Sequence, residues 1–202
     1  MLCIIDYGIV NLGSLKNTLN NANISFEVKT LPSELNKFSH AILPGVGNFK
    51  VASNKINEWK PFILKFLKNN NYLLGICLGM QLLFEFSEES NNQELKGLEL
   101  IKGNVTKLPM SSKYKIPHMG WNNIKFKKKH PLFAGVNHKV DFYFAHSFFC
   151  KPKNKKIVYG ETNYVIKIPS IIIDKNIIGF QFHPEKSYAH GSKLLKNFSN
   201  LK

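Results

Sequence analysis

Short apolar runs alternate with amphipathic stretches along the first half of the chain. The run at residues 2–5 predicts a strand, and leucines at 12, 15 and 19 predict a helix over residues 11–22. The same pattern predicts strands at residues 25–29, 41–43 and 72–76, and helices at residues 59–69 and 78–86. Alternating strands and helices of this kind indicate a mostly parallel sheet covered by helices.

The second half of the chain has a different pattern, in which apolar runs follow one another with short connections. It predicts strands at residues 123–127, 140–145, 157–159, 170–173 and 177–182, and a last helix at residues 192–199. We therefore predict an α/β fold with a mostly parallel, flavodoxin-like central sheet flanked by helices and an additional, partly antiparallel sheet. We expect one domain over residues 1–202.

The amino-acid composition indicates which kinds of partner to expect. The formal charge of +15 comes from 28 basic residues, all of them lysine and spread along the chain, against 13 acidic ones. Base recognition and bidentate phosphate binding favour arginine, so this pattern indicates a compositional bias and no nucleic-acid partner.

The first residues contain neither a basic leader nor a long apolar run, so we expect a cytoplasmic protein without a membrane partner. The three cysteines stand singly, which excludes a disulfide framework or a CxxC metal pair.

A cysteine between two glycines stands where the strand at residues 72–76 meets the next helix. Gly75-Ile76-Cys77-Leu78-Gly79 has the G-x-C-x-G form of a nucleophile elbow, whose small residues permit a sharp, strained turn. The helix N-terminus stabilises a thiolate, and the N–H of Leu78 is placed to bind an oxyanion. Cys77 is therefore the candidate nucleophile, with a buried cysteine in a glycine-rich loop as the alternative.

One of the seven histidines is placed to act as the base. His183 follows the strand at residues 177–182, and this strand and the one before Cys77 end at the same edge of a parallel sheet. Glu185, two residues later, can accept a hydrogen bond from the imidazole and fix its tautomer. We interpret four other histidines as solvated loop residues and leave His118 and His146 unassigned; the four are His40, His130, His138 and His190.

A third motif, Pro44-Gly45-Val46-Gly47, follows the strand at residues 41–43. Two glycines separated by one residue let the backbone approach a ligand closely and let a peptide turn over, which suits a second oxyanion donor. A plain turn has the same composition. Three such motifs at strand ends together predict a cysteine-dependent active site.

In this order, the three motifs resemble those of the class I (triad-type) glutamine amidotransferases. Within that family the chain is most similar to the glutaminase subunits of imidazole glycerol phosphate synthases, and the similarity extends over essentially the whole chain. The stretches that carry it are Asp6-Tyr7-Gly8, Pro117 to Asn122, Tyr143 to Ser147 and Gly179 to Ser187. The chain departs from the family pattern at Val10, where a second glycine is usual, and at Lys50, where a small residue is common.

The resemblance implies hydrolysis of L-glutamine through a thioester on Cys77, with His183 protonating the departing ammonia and Glu185 orienting His183. It implies oxyanion donors at Leu78 and, after a peptide flip, at Val46. It implies that five residues bind glutamine: Gly45, Gly47, Gln81, Ser147 and Phe148. No metal or organic cofactor is implied.

The resemblance also implies a heterodimer with a separate cyclase (synthase) subunit, which receives the ammonia in histidine biosynthesis. Four residues are implied to face that partner: Asn11, Trp121, Tyr143 and Lys186. A basic face suits an acidic partner surface.

Three alternative functions remain open at this point. A paralogous subunit that supplies ammonia to another synthase, such as one that amidates a surface sugar, shares all of these motifs. A stand-alone γ-glutamyl hydrolase uses similar Cys-His chemistry on a longer amide, and we expect it to turn over fully without a partner. A non-catalytic binding module is expected to have lost a member of the triad, and all three members are present here.

Overall fold

The computed structural model describes residues 1–90, 95–137 and 140–202. Fourteen strands lie within these ranges: β1 (Leu2–Ile5), β2 (Phe26–Lys29), β3 (His40–Leu43), β4 (Tyr72–Ile76), β5 (Phe84–Ser87), β6 (Leu95–Lys96), β7 (Ile101–Lys107), β8 (His118–Asn123), β9 (Lys125–Phe126), β10 (Asp141–His146), β11 (Phe148–Pro152), β12 (Val158–Asn163), β13 (Lys167–Asp174) and β14 (Ile177–Phe180). The α-helices of the same ranges are α1 (Leu12–Asn21), α2 (Phe49–Ile56), α3 (Lys60–Lys68), α4 (Leu78–Leu82) and α5 (Tyr188–Ser199). Short 3-10 helices lie at Pro32–Lys37, Asn57–Trp59, Pro131–Phe133, Lys155–Ile157 and Pro184–Lys186.

The main sheet has eight strands in the order β2-β1-β3-β4-β14-β13-β12-β9. The first five are parallel to one another, and the last three continue the sheet through antiparallel pairs. A four-stranded sheet, β11-β7-β5-β6, and a two-stranded sheet, β10-β8, complete the fold. This arrangement confirms the predicted α/β fold with its additional, partly antiparallel sheet.

Side chains of the central strands alternate between two cores, because successive residues of a strand point to opposite faces. In β1, Leu2 and Ile4 pack with α1 and α5, whereas Cys3 and Ile5 pack with α2, α3 and α4. Burying a leucine, isoleucine or phenylalanine side chain contributes roughly 1.5–3 kcal/mol. Because helices cover both faces of the sheet, the carboxyl ends of the parallel strands remain as the place for a site.

Several elements differ from the sequence-based expectation: strands β6, β7 and β11 were not predicted, and two helices also differ. The helix predicted at residues 78–86 ends at Leu82, and the apolar residues that follow form β5, which pairs with β7. The helix α2 was not predicted. It begins after Asn48, whose side-chain oxygen accepts hydrogen bonds from the N–H groups of Lys50 and Val51, so an N-cap that the apolar pattern did not reveal stabilises its first turn.

Among the described residues, no helix combines the length and the apolar character that crossing a bilayer requires.

The turn between β4 and α4 positions the site. Cys77 has φ +54° and ψ −110°, a conformation that residues other than glycine rarely adopt. Its N–H donates to the carbonyl oxygen of Phe180 at 2.7 Å, which holds the turn against the end of β14. A β-carbon at Gly79 would lie 1.9 Å from the carbonyl oxygen of Leu43, so α4 reaches the end of β3 only because residue 79 is glycine.

Gly79→Ala is expected to lower the free energy of unfolding by about 3 kcal/mol, because the new methyl group collides with rigid backbone. Urea denaturation measures this. Gly13→Ala is the matched control: the nearest atom to a β-carbon there is 3.8 Å away, and alanine in place of glycine in α1 is expected to add roughly 0.5 kcal/mol. Equal losses in the two variants would contradict the packing explanation.

Candidate active site

Three side chains meet at the carboxyl ends of β4 and β14. Cys77 and His183 are 7% and 6% exposed and line the same cavity, and Cys77 lies close enough to raise the pKa of His183. On the other side of the ring, His183 Nδ1 lies 2.7 Å from Glu185 Oε1. A carboxylate only accepts hydrogen bonds, so Nδ1 donates to Glu185 and Nε2 is left for the contact with Cys77.

The charges around His183 set its protonation. Burial lowers the pKa of this imidazole, but the charge and hydrogen bond of Cys77, followed by those of Glu185, outweigh burial and raise the pKa from 6.5 to about 10. His183 therefore keeps its proton at neutral pH when Cys77 is ionised. A thiolate beside an imidazolium is the form in which a cysteine attacks a carbonyl group.

Hydrogen bonds from two other elements hold the segment that carries His183 and Glu185. The N–H of His183 donates to the carbonyl oxygen of Tyr143 in β10 at 2.8 Å. Ser187 Oγ donates to the carbonyl oxygen of His183 at 2.6 Å and accepts from the N–H of Tyr143 at 3.0 Å. Thr18 Oγ1, in α1, donates to the carbonyl oxygen of Glu185 at 3.2 Å. The orientation of the imidazole is thus fixed from both flanks.

The N–H groups of the two predicted oxyanion donors differ in whether they already have an acceptor. Leu78 is the first residue of α4, where backbone N–H groups have no acceptor within the helix. The N–H of Val46 donates to the carbonyl oxygen of Ile9 at 3.5 Å, the long limit of a hydrogen bond. Bringing the Val46 N–H towards Cys77 therefore requires rotation of the Gly45–Val46 peptide. This rotation changes ψ of Gly45 and φ of Val46, and Gly45 has no β-carbon to restrict it.

A cavity of about 390 Å³ opens at Cys77. It brings together most of the residues singled out from the sequence: Val46, Gly47, Cys77, Leu78, Gln81, Ser147, Phe148, His183 and Lys186. Five further residues line it: Glu89, Pro117, Met119, Ala145 and His146. Gly45 lies behind this lining, where a β-carbon would be 2.7 Å from the Tyr7 hydroxyl oxygen, so the structure gives Gly45 a packing role.

Comparison with known proteins matches residues 3–201 to the glutamine amidotransferase class-I family. The chain belongs to this family. It is 43% identical to the imidazole glycerol phosphate synthase subunit HisH of Halalkalibacterium halodurans, an alignment that covers all of this chain and 96% of that protein. It is 40% identical to the subunit of the same name from Moorella thermoacetica, over 99% of this chain and 94% of the relative.

Solved structures share the fold of this amidotransferase. PurLQS from Thermotoga maritima superposes with a TM-score of 0.74 at 18% identity, covering 98% of this chain and 97% of that one. A glutamine amidotransferase from the same organism superposes with a TM-score of 0.66 at 15% identity, covering 98% of this chain and 82% of that one. The α/β architecture is therefore one that other glutamine amidotransferases adopt.

Side-chain contacts to backbone hold one wall of the amidotransferase cavity. Gln81 Nε2 donates to the carbonyl oxygen of Phe148 at 2.9 Å. Glu89 Oε2 accepts from the N–H of Phe49 at 2.6 Å, and burial raises the pKa of this carboxyl against the effect of that hydrogen bond. A cavity-lining carboxylate suits an ammonium group. Glu89 was not predicted from the sequence, because it lies in a polar stretch without a motif.

Exposed aromatic residues cluster beside the cavity. The rings of Trp121 and Tyr143 lie 5.7 Å apart, and Lys186 Nζ lies 5.4 Å from the centre of the Tyr143 ring. Tyr188, which is 78% exposed, stacks on Trp121 at 4.9 Å, and Met119 is 64% exposed. We call these five residues the aromatic surface. Contiguous exposed apolar groups of this kind mark interaction sites. Met119 and Tyr188 were not predicted from the sequence as members of this surface.

Asn11 and Val10 lie at the start of α1. Asn11 is exposed and precedes the helix without a side-chain capping bond. Val10 does not have a positive φ and packs against the core. The turn therefore accepts valine where the family usually has glycine.

The other two cysteines differ from Cys77 in their surroundings. Burial raises the pKa of the Cys3 thiol to about 12 and raises that of Cys150 strongly. Neither lines the cavity. Within the part of the chain that the structure describes, no three His, Cys, Asp or Glu side chains cluster so as to hold a metal ion.

The remaining histidines divide by burial. His40 is only 7% exposed and stacks on Tyr72 at 5.3 Å, so its interpretation as a solvated loop residue is wrong. His118 and His146 are also buried. His130 and His190 are partly exposed, and His138 lies outside the described residues.

Cys77→Ala is expected to lower the pKa of His183 from about 10, because Cys77 contributes the larger raising effects. Glu185→Gln is expected to lower the same pKa by less. NMR titration of the imidazole resonances measures both shifts, with His130 as the internal control. An unchanged His183 pKa in Cys77→Ala, or a larger fall in Glu185→Gln, would contradict this description of the site.

Proposed function

We propose that this amidotransferase is the glutaminase subunit of an imidazole glycerol phosphate synthase. As a single domain over residues 1–202, it hydrolyses L-glutamine to glutamate in the cytoplasm and delivers the ammonia to a separate cyclase subunit in histidine biosynthesis. The convergence of Cys77, His183 and Glu185 at one rim of the sheet carries the proposal. Full-length similarity to HisH subunits supports the choice of synthase.

In the first half of the reaction, the Cys77 thiolate attacks the carboxamide carbon of glutamine. The C–S bond forms as the carbonyl π electrons move to oxygen, where the N–H of Leu78 and the rotated N–H of Val46 stabilise the oxyanion. The protonated His183 then gives its proton to the amide nitrogen. Collapse of the intermediate breaks the C–N bond and releases ammonia, which leaves a thioester on Cys77.

In the second half, the neutral His183 takes a proton from water as the water oxygen attacks the thioester carbon. Collapse of this second intermediate breaks the C–S bond and releases glutamate, and the thiolate–imidazolium pair is restored. Glu185 accepts the 2.7 Å hydrogen bond from Nδ1 in both halves and so stabilises the imidazolium.

The lining of the cavity suits the amino-acid end of glutamine. The Glu89 carboxylate is an acceptor for the α-ammonium group. Lys186, at the rim, supplies positive charge for the α-carboxylate, and Gln81 fixes the Phe148 carbonyl oxygen from behind. Gly47 and Ser147 offer backbone groups along the same lining.

The aromatic surface is the proposed docking site for the cyclase subunit, with Asn11 contributing from the start of α1. Trp and Tyr dominate binding energies in protein interfaces because they bury a large area with little loss of conformational freedom. Lys186 belongs both to this surface and to the cavity lining, so the partner approaches directly beside the site where ammonia is released. The net charge of +15 favours an acidic partner face.

Cys77→Ala is expected to reduce glutaminase turnover by a factor on the order of 10³ or more, and His183→Gln by a similar factor. The loss of turnover in Glu185→Gln is expected to be smaller by a factor of roughly ten or more, because Glu185 orients the base without transferring a proton. Glutamate release, assayed with the cyclase and its nucleotide ligand, measures the losses. Cys3→Ala, which removes a buried thiol remote from the cavity, is the control and should retain activity. Residual full activity in Cys77→Ala would exclude the proposed nucleophile.

Adding the cyclase with its nucleotide ligand is expected to raise glutaminase activity strongly. Trp121→Ala is expected to weaken cyclase binding by at least about tenfold, as for a central interface aromatic. Calorimetry measures the binding, and Leu64→Ala, an exposed apolar residue of α3 outside the aromatic surface, is the matched control. Full turnover without any partner would support a stand-alone hydrolase, and equal cyclase affinities for wild type and Trp121→Ala would exclude this docking site.

A further inference from the structure

Two buried histidines that the proposed reaction does not use lie side by side next to the cavity. His118 in β8 and His146 in β10 are 2% and 6% exposed and are paired directly across the two-stranded sheet. His118 Nδ1 lies 3.0 Å from His146 Nε2. Buried polar side chains in this position need a complete set of partners, since each unsatisfied atom carries a desolvation cost.

Only one assignment of hydrogens satisfies every contact of this pair. His146 Nδ1 lies 2.9 Å from the carbonyl oxygen of Phe148, which only accepts, so Nδ1 donates. In a neutral ring the second nitrogen then accepts, so His146 Nε2 receives the hydrogen of His118 Nδ1. By the same rule His118 Nε2 accepts, and the amide nitrogen of Asn122 lies 3.4 Å from it as donor. The second amide hydrogen of Asn122 goes to the carbonyl oxygen of Asn163 at 3.1 Å.

Both rings are held in the neutral form that this assignment needs. Burial lowers the pKa of His118 to about 4. Burial, followed by the charge of His118, lowers the pKa of His146 to about 3, against the raising effect of the hydrogen bond to Phe148. Two aromatic rings sandwich His118, with its centre 4.6 Å from Phe144 and 4.0 Å from Tyr164, which fixes its plane.

The hydrogen bonds of Asn122, His118 and His146 form a row. One end of this row lies at the cavity and the other lies beside the aromatic surface. At one end, the carbonyl oxygen of Phe148 accepts from both His146 Nδ1 and Gln81 Nε2, each at 2.9 Å, and all three residues line the cavity with Cys77. At the other end, Asn122 is the neighbour of Trp121 in β8, the strand that contributes to the aromatic surface.

We propose that Asn122, His118 and His146 form a histidine relay that positions the Phe148 wall of the cavity for the amino-acid end of glutamine. The three side chains are positioning residues, since both ring nitrogens of His146 are used by hydrogen bonds to Phe148 and His118 and neither is left for the substrate. The proposal rests on the proposed function in that it takes glutamine as the ligand. When a side chain of the relay is removed, a hydrogen-bonding atom of the cavity wall loses its partner. The removal therefore weakens binding of glutamine more than it slows the chemical step.

The test measures the dissociation constant for L-glutamine by calorimetry on a Cys77→Ala background, where no turnover occurs. Adding His118→Phe keeps a flat ring in the stack but removes both nitrogens, and it is expected to raise this constant about tenfold, the effect of one lost buried hydrogen bond. His118→Asn, whose amide can replace the Nδ1 donor, is expected to restore part of the affinity. Tyr164→Phe is the matched control: it removes a hydroxyl that bonds the carbonyl oxygen of Lys115 at 2.7 Å, in the same stack but outside the relay, and should not change the affinity.

In the active protein with the cyclase present, His118→Phe is expected to raise KM for glutamine by a similar factor with a smaller change in kcat. Nitrogen NMR of the wild-type imidazoles checks the relay without any ligand, and both rings should be neutral and protonated on Nδ1 between about pH 5 and 8. An Nε2-protonated ring, or an unchanged glutamine affinity in His118→Phe, would overturn the relay. A Cys77→Ala protein that binds no glutamine at all would instead contradict the proposed function, while the NMR result would still decide the relay geometry.

Discussion

The left-handed backbone of Cys77 is the constraint on which the rest of the site depends. A residue other than glycine held in such a conformation costs of order 1–3 kcal/mol and persists only where its surroundings over-determine it. Here the missing β-carbon of Gly79 lets α4 approach the end of β3, and the hydrogen bond from Cys77 N–H to Phe180 fixes the turn to β14. The sulfur is thereby held at the edge where the parallel strands end.

That geometry also determines where His183 lies. β14 is the sheet neighbour of β4, so the residues that follow it are brought beside the turn, and the Tyr143 carbonyl oxygen holds His183 in place. Cys77 and Glu185 then lie on either side of the His183 imidazole, and both raise its pKa. The strands of the second half of the chain complete the arrangement, because β10 and β11 bring Ser147 and Phe148 to the cavity.

Much of the site was predictable because its chemistry depends on short motifs at strand ends. The Gly-x-Cys-x-Gly turn and the His-Pro-Glu segment each indicate a strand end from local sequence alone, and the cavity contains both. The helix predicted at residues 78–86 was wrong beyond Leu82, because a short apolar run fits a helix or a buried strand equally and pairing with a distant strand decides between them. Glu89 and His146 line the cavity, and His118 contacts His146, through such distant pairings, which no local pattern encodes.

The central claim is that Cys77 alone among the three cysteines attacks the glutamine carboxamide. Its most direct test is covalent trapping with an electrophilic glutamine analogue in the presence of the cyclase, followed by mass-spectrometric mapping of every cysteine-containing peptide. We predict a single adduct on Cys77 that excess glutamine suppresses, with Cys3 and Cys150 unmodified because they are buried away from the cavity. An adduct on Cys3 or Cys150 with Cys77 unmodified, or no adduct at all, would contradict it.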